Sequence, residues 1–238
     1  MTVTLTVASV KGGVGKTTIA ENLSIVLGRL RRRVLVVDAD IATSGLSTLM
    51  GLSDREPNIH DLLSGRGDPG RAVYDAYGIK VLPAGRSLGG FVRADPVRLS
   101  RVIDDLKQNF DFVIIDTPPG ITKYSLAPLK ISDTILSVTT QDPAAVEAAA
   151  KLEEVAQAMG FKLAGVVVNR VRKPSFLKKL KLYSRAQIQS RLRTPIMTGI
   201  PEDPSVVEAA TLRRPIVFHK PKSPVSTAMY ELARKLGG

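Results

Sequence analysis

The chain has 238 residues, 44% of them hydrophobic and 24% charged, which suits a soluble globular protein long enough to bury one large core. It contains no cysteine, so disulfides and thiolate-held metals or clusters are excluded. No apolar run of 18 residues and no secretory leader is visible, and a cytoplasmic setting is expected for this chain of net charge +12.

Residues 3–8 read as an apolar, β-branched strand, and 19–27 carry the apolar 3.6-residue period of a helix. Between them stands Lys11-Gly12-Gly13-Val14-Gly15-Lys16-Thr17-Thr18. Strand, glycine-rich turn and helix make a phosphate cradle: backbone N–H groups turn toward one anion, and the helix N-terminus adds partial positive charge. Lys16 is expected on the β- and γ-phosphates and the Thr17 hydroxyl on Mg²⁺. Arg29 and Arg31 to Arg33 follow at the expected end of this helix, where they complement its dipole. The buried-type strand 34–37 ends in Asp38-Ala39-Asp40. That acid pair either caps a short helical segment at 44–50 or orients water and supports a metal.

Further strands are expected at 79–82, 112–115, 134–138, 163–168 and 196–200, with helices at 97–109, 143–159, 175–192 and 204–211. The alternation predicts a single α/β domain over 1–238, a mostly parallel twisted sheet with helices on both faces. Ligands of such sheets sit at the carboxyl ends of strands, and the candidates fall there. Asp116 closes 112–115 as a Walker B acid does, reaching Mg²⁺, and Gly120 after Pro118-Pro119 is a candidate hinge. Asn169 follows 166–168 and offers the donor and acceptor that an adenine edge needs, or is an ordinary turn residue. Asp203 either joins Pro201 at the base or caps a helix with Pro204 at its first position. The final segment, with Met229, Leu232 and Leu236, reads as a helix packed on the core. His60 and His219 have no metal-ligating neighbours in sequence.

Val10 stands where the common P-loop pattern has glycine; the run is instead Lys-Gly-Gly-x-Gly-Lys-Thr-Thr, with Lys11 at its mouth. With Val81-Leu82-Pro83-Ala84-Gly85, Asp116-Thr117-Pro118-Pro119-Gly120 and Ile200-Pro201-Glu202-Asp203-Pro204-Ser205-Val206, this resembles the deviant Walker A ATPases of the MinD/ParA family, archaeal MinD-like proteins in particular. The resemblance implies a P-loop NTPase fold, ATP/ADP and Mg²⁺ as cofactors, a homodimer when ATP is bound, and an unidentified activator protein. It implies slow ATP hydrolysis that positions cell-division or chromosome-segregation machinery. Lys11, Lys16 and Asp40 would be catalytic, Lys11 by crossing the dimer interface to the nucleotide of the partner subunit. Lys11, Gly12, Gly13, Val14, Gly15, Lys16, Thr17 and Thr18 would hold the phosphates, and Asn169, Pro201 and Asp203 would enclose the adenine. Thr17, Asp38, Asp40 and Asp116 would support the metal. Two other classes stay open: a metabolic P-loop enzyme acting on a small carboxylate, and a non-hydrolysing binding module.

No Asp or Glu occurs between Val155 and Pro201, whereas the basic stretch 170–193 is rich in Lys and Arg and mixes Phe176, Leu177, Leu180 and Ile188 with a cationic face. It is a solvated helix face, a non-specific site for nucleic-acid phosphates, or a contact with an anionic membrane. On the last two readings the protein is peripheral on nucleoid or membrane.

Overall fold

Runs that are apolar on both faces are buried only between two helix layers, and each expected run becomes a strand of one sheet. The computed structural model describes residues 2–173 and 181–237. Strand β1 (Val3–Ala8) leads into α1 (Lys16–Arg29), β2 (Val34–Asp38), α2 (Gly45–Leu49) and α3 (Ile59–Leu63). A hairpin of β3 (Tyr74–Ala76) and β4 (Ile79–Leu82) follows, then α4 (Leu88–Arg93) and α5 (Leu99–Lys107). The second half comprises β5 (Phe112–Asp116), α6 (Lys123–Lys130), β6 (Thr134–Thr139), α7 (Pro143–Met159) and β7 (Leu163–Val171). After it come α8 (Arg185–Gln189), β8 (Ile196–Pro201), α9 (Ser205–Thr211), α10 (Ile216–His219) and α11 (Pro224–Gly237).

The eight strands lie in the order β3-β4-β2-β5-β1-β6-β7-β8. All pairings are parallel except β3 with β4. One face packs Ile19, Leu23 and Val26 of α1 and Met229 and Leu232 of α11 against the sheet. The other buries Ile59 of α3 and Leu99, Ile103 and Leu106 of α5. The twofold layering expected from the alternation is present, and the final segment is a core helix.

Several local signals hold. Asp142 accepts from the Ala145 amide at 3.1 Å and Pro143 opens α7, while Gly160 at φ 71° ends it. Asp95 caps a 3₁₀ turn, Pro96–Arg98, that precedes α5, so the helix expected from 97 starts two residues later. The helix expected over 175–192 is corrected among the described residues. Residues 182–184 are irregular, Lys181 stands at φ 52°, and Ser184 starts a new helix by capping the Gln187 amide. Phe176, Leu177 and Leu180 lie outside the described residues. The hairpin strand β3 and helices α3, α4 and α6 carry no long periodic run and were not expected.

One buried acid is unrelated to the strand ends. Glu21 of α1 is 4% exposed and accepts from Asn22 Nδ2 at 2.9 Å. Burial pushes its carboxyl up to about 8. The unfolded chain ionises Glu21 near pH 4.5, whereas the folded chain keeps it protonated until about 8. Stability is therefore lost as pH rises through that window, on the order of a few kcal/mol at its upper end. Thermal unfolding of Glu21→Gln should lack this decline between pH 5 and 8, and an unchanged pH slope would show that Glu21 is not its source.

Candidate functional site

The site sits at the carboxyl ends of β1, β2, β5, β7 and β8. After Ala8 the chain leaves β1 in a turn held by Ser9, whose hydroxyl donates to the Lys11 carbonyl at 2.7 Å. Gly15 adopts φ 97°, a left-handed conformation that side chains rarely take, and α1 begins at the next residue. A methyl group at Gly15 would also collide with Asn169 Nδ2, which already donates to the Val14 carbonyl at 2.8 Å. If this turn is the phosphate cradle that its sequence predicts, Gly15→Ala should weaken ATP binding by tenfold to a hundredfold, the equivalent of ~1–3 kcal/mol of backbone strain. Calorimetry reads this directly, and wild-type affinity in the variant would disprove the tight fit. Gly13→Ala, where an added Cβ meets nothing within 4 Å, should be milder.

Lys16 is 6% exposed and its ammonium donates to Ser9 Oγ at 3.1 Å. Burial lowers its pKa, while Asp116 and Asp40 favour the charged form. Asp38 and Asp116 are direct neighbours on the paired strands β2 and β5, and both are fully buried. Asp38 Oδ2 accepts from the Ser47 amide at 2.9 Å and from its hydroxyl at 2.6 Å, so the capping reading of this acid holds for one oxygen. Its Oδ1 and both oxygens of Asp116 have no hydrogen-bond partner. Burial raises Asp38 to about 7, and burial together with the Asp38 carboxylate raises Asp116 well above the ordinary range.

Three orphaned, fully buried carboxylate oxygens beside an ammonium group are costly unless a cation or a proton joins them. The residues present therefore fit a divalent ion. Among the described residues no group of three acidic or histidine side chains converges on one point. That suits Mg²⁺, which commonly takes one or two carboxylates and completes its shell with water and substrate phosphates. The Thr17 side chain lies near Gly45 at the start of α2, on the side of the turn toward the Asp38 loop. Asp40 is half-buried, and its backbone carbonyl accepts from the Thr43 and Ser44 amides, which folds the 40–44 segment into a turn. Gly120 stands at φ 91° and its amide donates to the Ser9 carbonyl at 3.3 Å, while Pro119 lies against Gly12. The 117–120 loop thus touches the glycine-rich turn directly.

Lys11 is held by an acid outside this turn. Its ammonium donates to Asp142 Oδ1 at 2.9 Å, with both side chains roughly half exposed. A hollow of about 330 Å³ opens here between Lys11, Gly12, Gly13, Asp142, Arg170 and Glu202. A second, of about 340 Å³, is lined by Thr18, Asn169, Pro201, Asp203, Val206 and Val207. This brings Asn169, Pro201 and Asp203 together beside the turn. Asp203 Oδ1 also accepts from the Ser205 amide at 2.8 Å and its hydroxyl at 2.6 Å, so its capping role is real as well.

The basic stretch is less free than its run of cations suggests. Arg172 forms a paired contact with Glu202, at 2.5 and 2.9 Å, and the Arg193 amide donates to Glu153. Acids absent from the local sequence arrive from other elements. No described helix is long and apolar enough to cross a membrane. Sequence reasoning missed Asp142, a plain helix cap in sequence whose charge partner lies 131 residues away.

The family model for ParA, described as NUBPL iron-transfer P-loop NTPase, matches residues 1–237. An uncharacterised ATP-binding protein of Methanocaldococcus jannaschii is 36% identical over the whole of this chain and 89% of its own length. The septum site-determining protein MinD of Pyrococcus horikoshii, solved with Mg-ADP, superimposes with a TM-score of 0.92 at 30% identity, covering 99% of this chain and 96% of that one. MinD in the MinC:MinD complex of Aquifex aeolicus gives a TM-score of 0.87 at 29% identity, covering 99% and 96%. Without cysteine, this chain has no thiolates for carrying an iron–sulfur cluster. Carboxylates at the ends of β2 and β5, a lysine-flanked glycine turn between β1 and α1, and this likeness along the whole chain lead to one conclusion: it belongs to the ParA family of P-loop NTPases, with MinD proteins among its relatives.

Proposed function

We propose that residues 1–238 act as one nucleotide-binding domain that binds ATP, hydrolyses it slowly, and dimerises while ATP is bound. The backbone amides of the 11–18 turn and the Lys16 ammonium would hold the phosphates. Thr17, Asp116, Asp38 and Asp40 would hold Mg²⁺, directly or through water, and when bound that ion neutralises charge developing on the phosphate oxygens. Asp40 would orient the attacking water and accept its proton. Asn169, Pro201 and Asp203 would form the walls around the adenine. Pyrococcus MinD, solved with Mg-ADP, supports the choice of nucleotide and metal.

The observation that carries the dimerisation reading is the parking of Lys11 on Asp142. A lysine serving the nucleotide of its own chain has no reason to be held by an acid outside the turn. A lysine destined for the nucleotide of the partner subunit must stand at the surface until that subunit arrives. Hydrolysis then requires two chains, so nucleotide state and assembly report on each other. A second protein would set the hydrolysis rate; a relative, MinD of Aquifex aeolicus, is found in complex with MinC. The task would be positioning division or segregation machinery. The metabolic-enzyme reading is not favoured, since the relatives named are MinD or ATP-binding proteins. Contact of the basic stretch with DNA or lipid draws no support from the described residues, where Arg172 is already engaged by Glu202.

Light scattering with ATP, with ADP, and for Asp40→Ala with ATP tests the reading. A dimer is expected only with ATP, and most completely in the variant. Monomers throughout would refute it.

A further inference from the structure

Helix α4 is short and carries an anomaly. Leu88 and Val92, one turn apart on its outer face, are 76% and 72% exposed, and Val97 just beyond is 80% exposed. Large apolar side chains grouped in this way are unusual on a surface that stays in water. A groove of about 710 Å³ opens beside Val97, between the 95–100 segment and α6, and is lined by Asp95, Val97, Lys123, Leu126, Ala127 and Lys130. The groove carries Lys123 and Lys130 against Asp95, and Arg93 and Arg98 are exposed in the segment that leads to it.

The inner side of α4 packs on α3 through Gly90 and His60 and on α6 through Phe91 and Tyr124. Gly90 lies against the His60 ring, where an added Cβ would come within 2.9 Å of Nδ1. His60 Nε2 in turn donates to the Ile41 carbonyl at 2.9 Å, the residue after Asp40. The segment leading into α4 is tied to the same loop, because Ser44 Oγ donates to the Gly85 carbonyl at 2.6 Å. Phe91 stacks on Tyr124 with ring centroids 5.6 Å apart, and Tyr124 belongs to α6, which leaves directly from the 117–122 loop. Helix α4 is thus linked through His60 to the residue after Asp40, and through Tyr124 to the helix that follows the 117–122 loop.

The geometry points to the outer face of α4, with the groove beyond it at Val97, as the docking surface for an acidic, amphipathic helix of a regulatory protein. The apolar stripe supplies the buried contact, and the arginine and lysine rim selects acidic flanks. A second copy of this chain is a poor occupant of this face, because it would set one lysine and arginine rim against another. The docking surface rests on the proposed ATP switch only for its consequence, which is a change in hydrolysis rate.

The test uses the full chain with Mg-ATP and a fluorescent synthetic peptide, with leucines at helical i, i+3, i+4 and i+7 spacing and glutamates elsewhere. Its counterpart carries lysines in place of the glutamates. Anisotropy should show binding of the glutamate peptide, weakened by about tenfold or more in Leu88→Ser/Val92→Ser and for the lysine peptide. Arg93→Glu/Lys130→Glu should reverse the charge preference, while basal ATP turnover and melting temperature stay at wild-type values in both variants. Failure of the glutamate peptide to bind, equal binding by the serine variant, or equal binding of the lysine peptide would overturn the proposal. So would co-sedimentation with phosphatidylglycerol vesicles that the serine variant alone loses, which would make the face a lipid contact. Because anisotropy needs no hydrolysis, a chain that binds the peptide but does not turn over ATP would sink the switch and leave this surface standing.

Discussion

Lys11→Ala is expected to leave ATP bound and cut turnover by roughly 10³-fold. Phosphoryl transfer spreads negative charge over the γ-oxygens, and cations delivered across an interface are worth ~10³–10⁵ in rate. Lys11 is not buried with the phosphate cradle; that place belongs to Lys16, against Ser9. Removal of Lys11 therefore costs neither core packing nor the cradle, only its contact with Asp142. The decisive measurement is complementation. A Lys11→Ala chain keeps its own Asp40, and an Asp40→Ala partner supplies an intact Lys11, so a mixed dimer has one competent site. Random mixing of the two dead variants should recover about a quarter of the wild-type rate, since half the dimers are mixed and each has one of two sites complete. No recovery on mixing, with both variants able to bind ATP, would mean that Lys11 acts within its own chain or not at all.

Asp40→Ala should reduce turnover by ~10²–10⁴-fold, the usual cost of removing a general base. It should not reduce ATP affinity, because the buried pair of carboxylates at the strand ends, Asp38 and Asp116, remains. The variant is thus expected to accumulate as an ATP-bound dimer. Asp40→Asn, which keeps the shape and loses the base, should behave alike, and its agreement separates chemistry from loop disruption. Wild-type turnover in either variant would remove Asp40 from the mechanism and leave the water without an assigned base. Asp38→Asn should differ, because the Asp38 carboxylate also holds Ser47 at the start of α2. That variant is expected to lose metal affinity and some stability together.

Much of the site was legible in one dimension because its parts are local. The glycine turn, Lys16 and Thr17 form a contiguous run whose spacing follows from the geometry of amides around a phosphate. Asp38 and Asp116 were legible because each closes a strand that is apolar on both faces, and parallel strands bring their carboxyl ends to one edge. The register that makes these acids direct neighbours was not legible, since it depends on which strands pair. Helix α4 was missed for a similar reason. Its six residues include two glycines, and its stability comes from Ser87 capping and contacts with His60 and Tyr124. The basic stretch misled in part, because charge counted along a chain ignores acids that fold in from elsewhere, such as Glu202 onto Arg172.

The amino-acid order alone therefore determined the class of fold, the glycine turn proposed as a phosphate cradle and the chemistry of its candidate ligands. These depend on periodicity and on short-range backbone geometry, both of which are properties of neighbouring residues. Only the tertiary structure decided that Lys11 rests on Asp142, that three carboxylate oxygens lie buried without partners, and that α4 packs on both His60 and Tyr124. Those are contacts between residues far apart in the chain, and the free energy that selects them comes from packing and desolvation across the whole sheet.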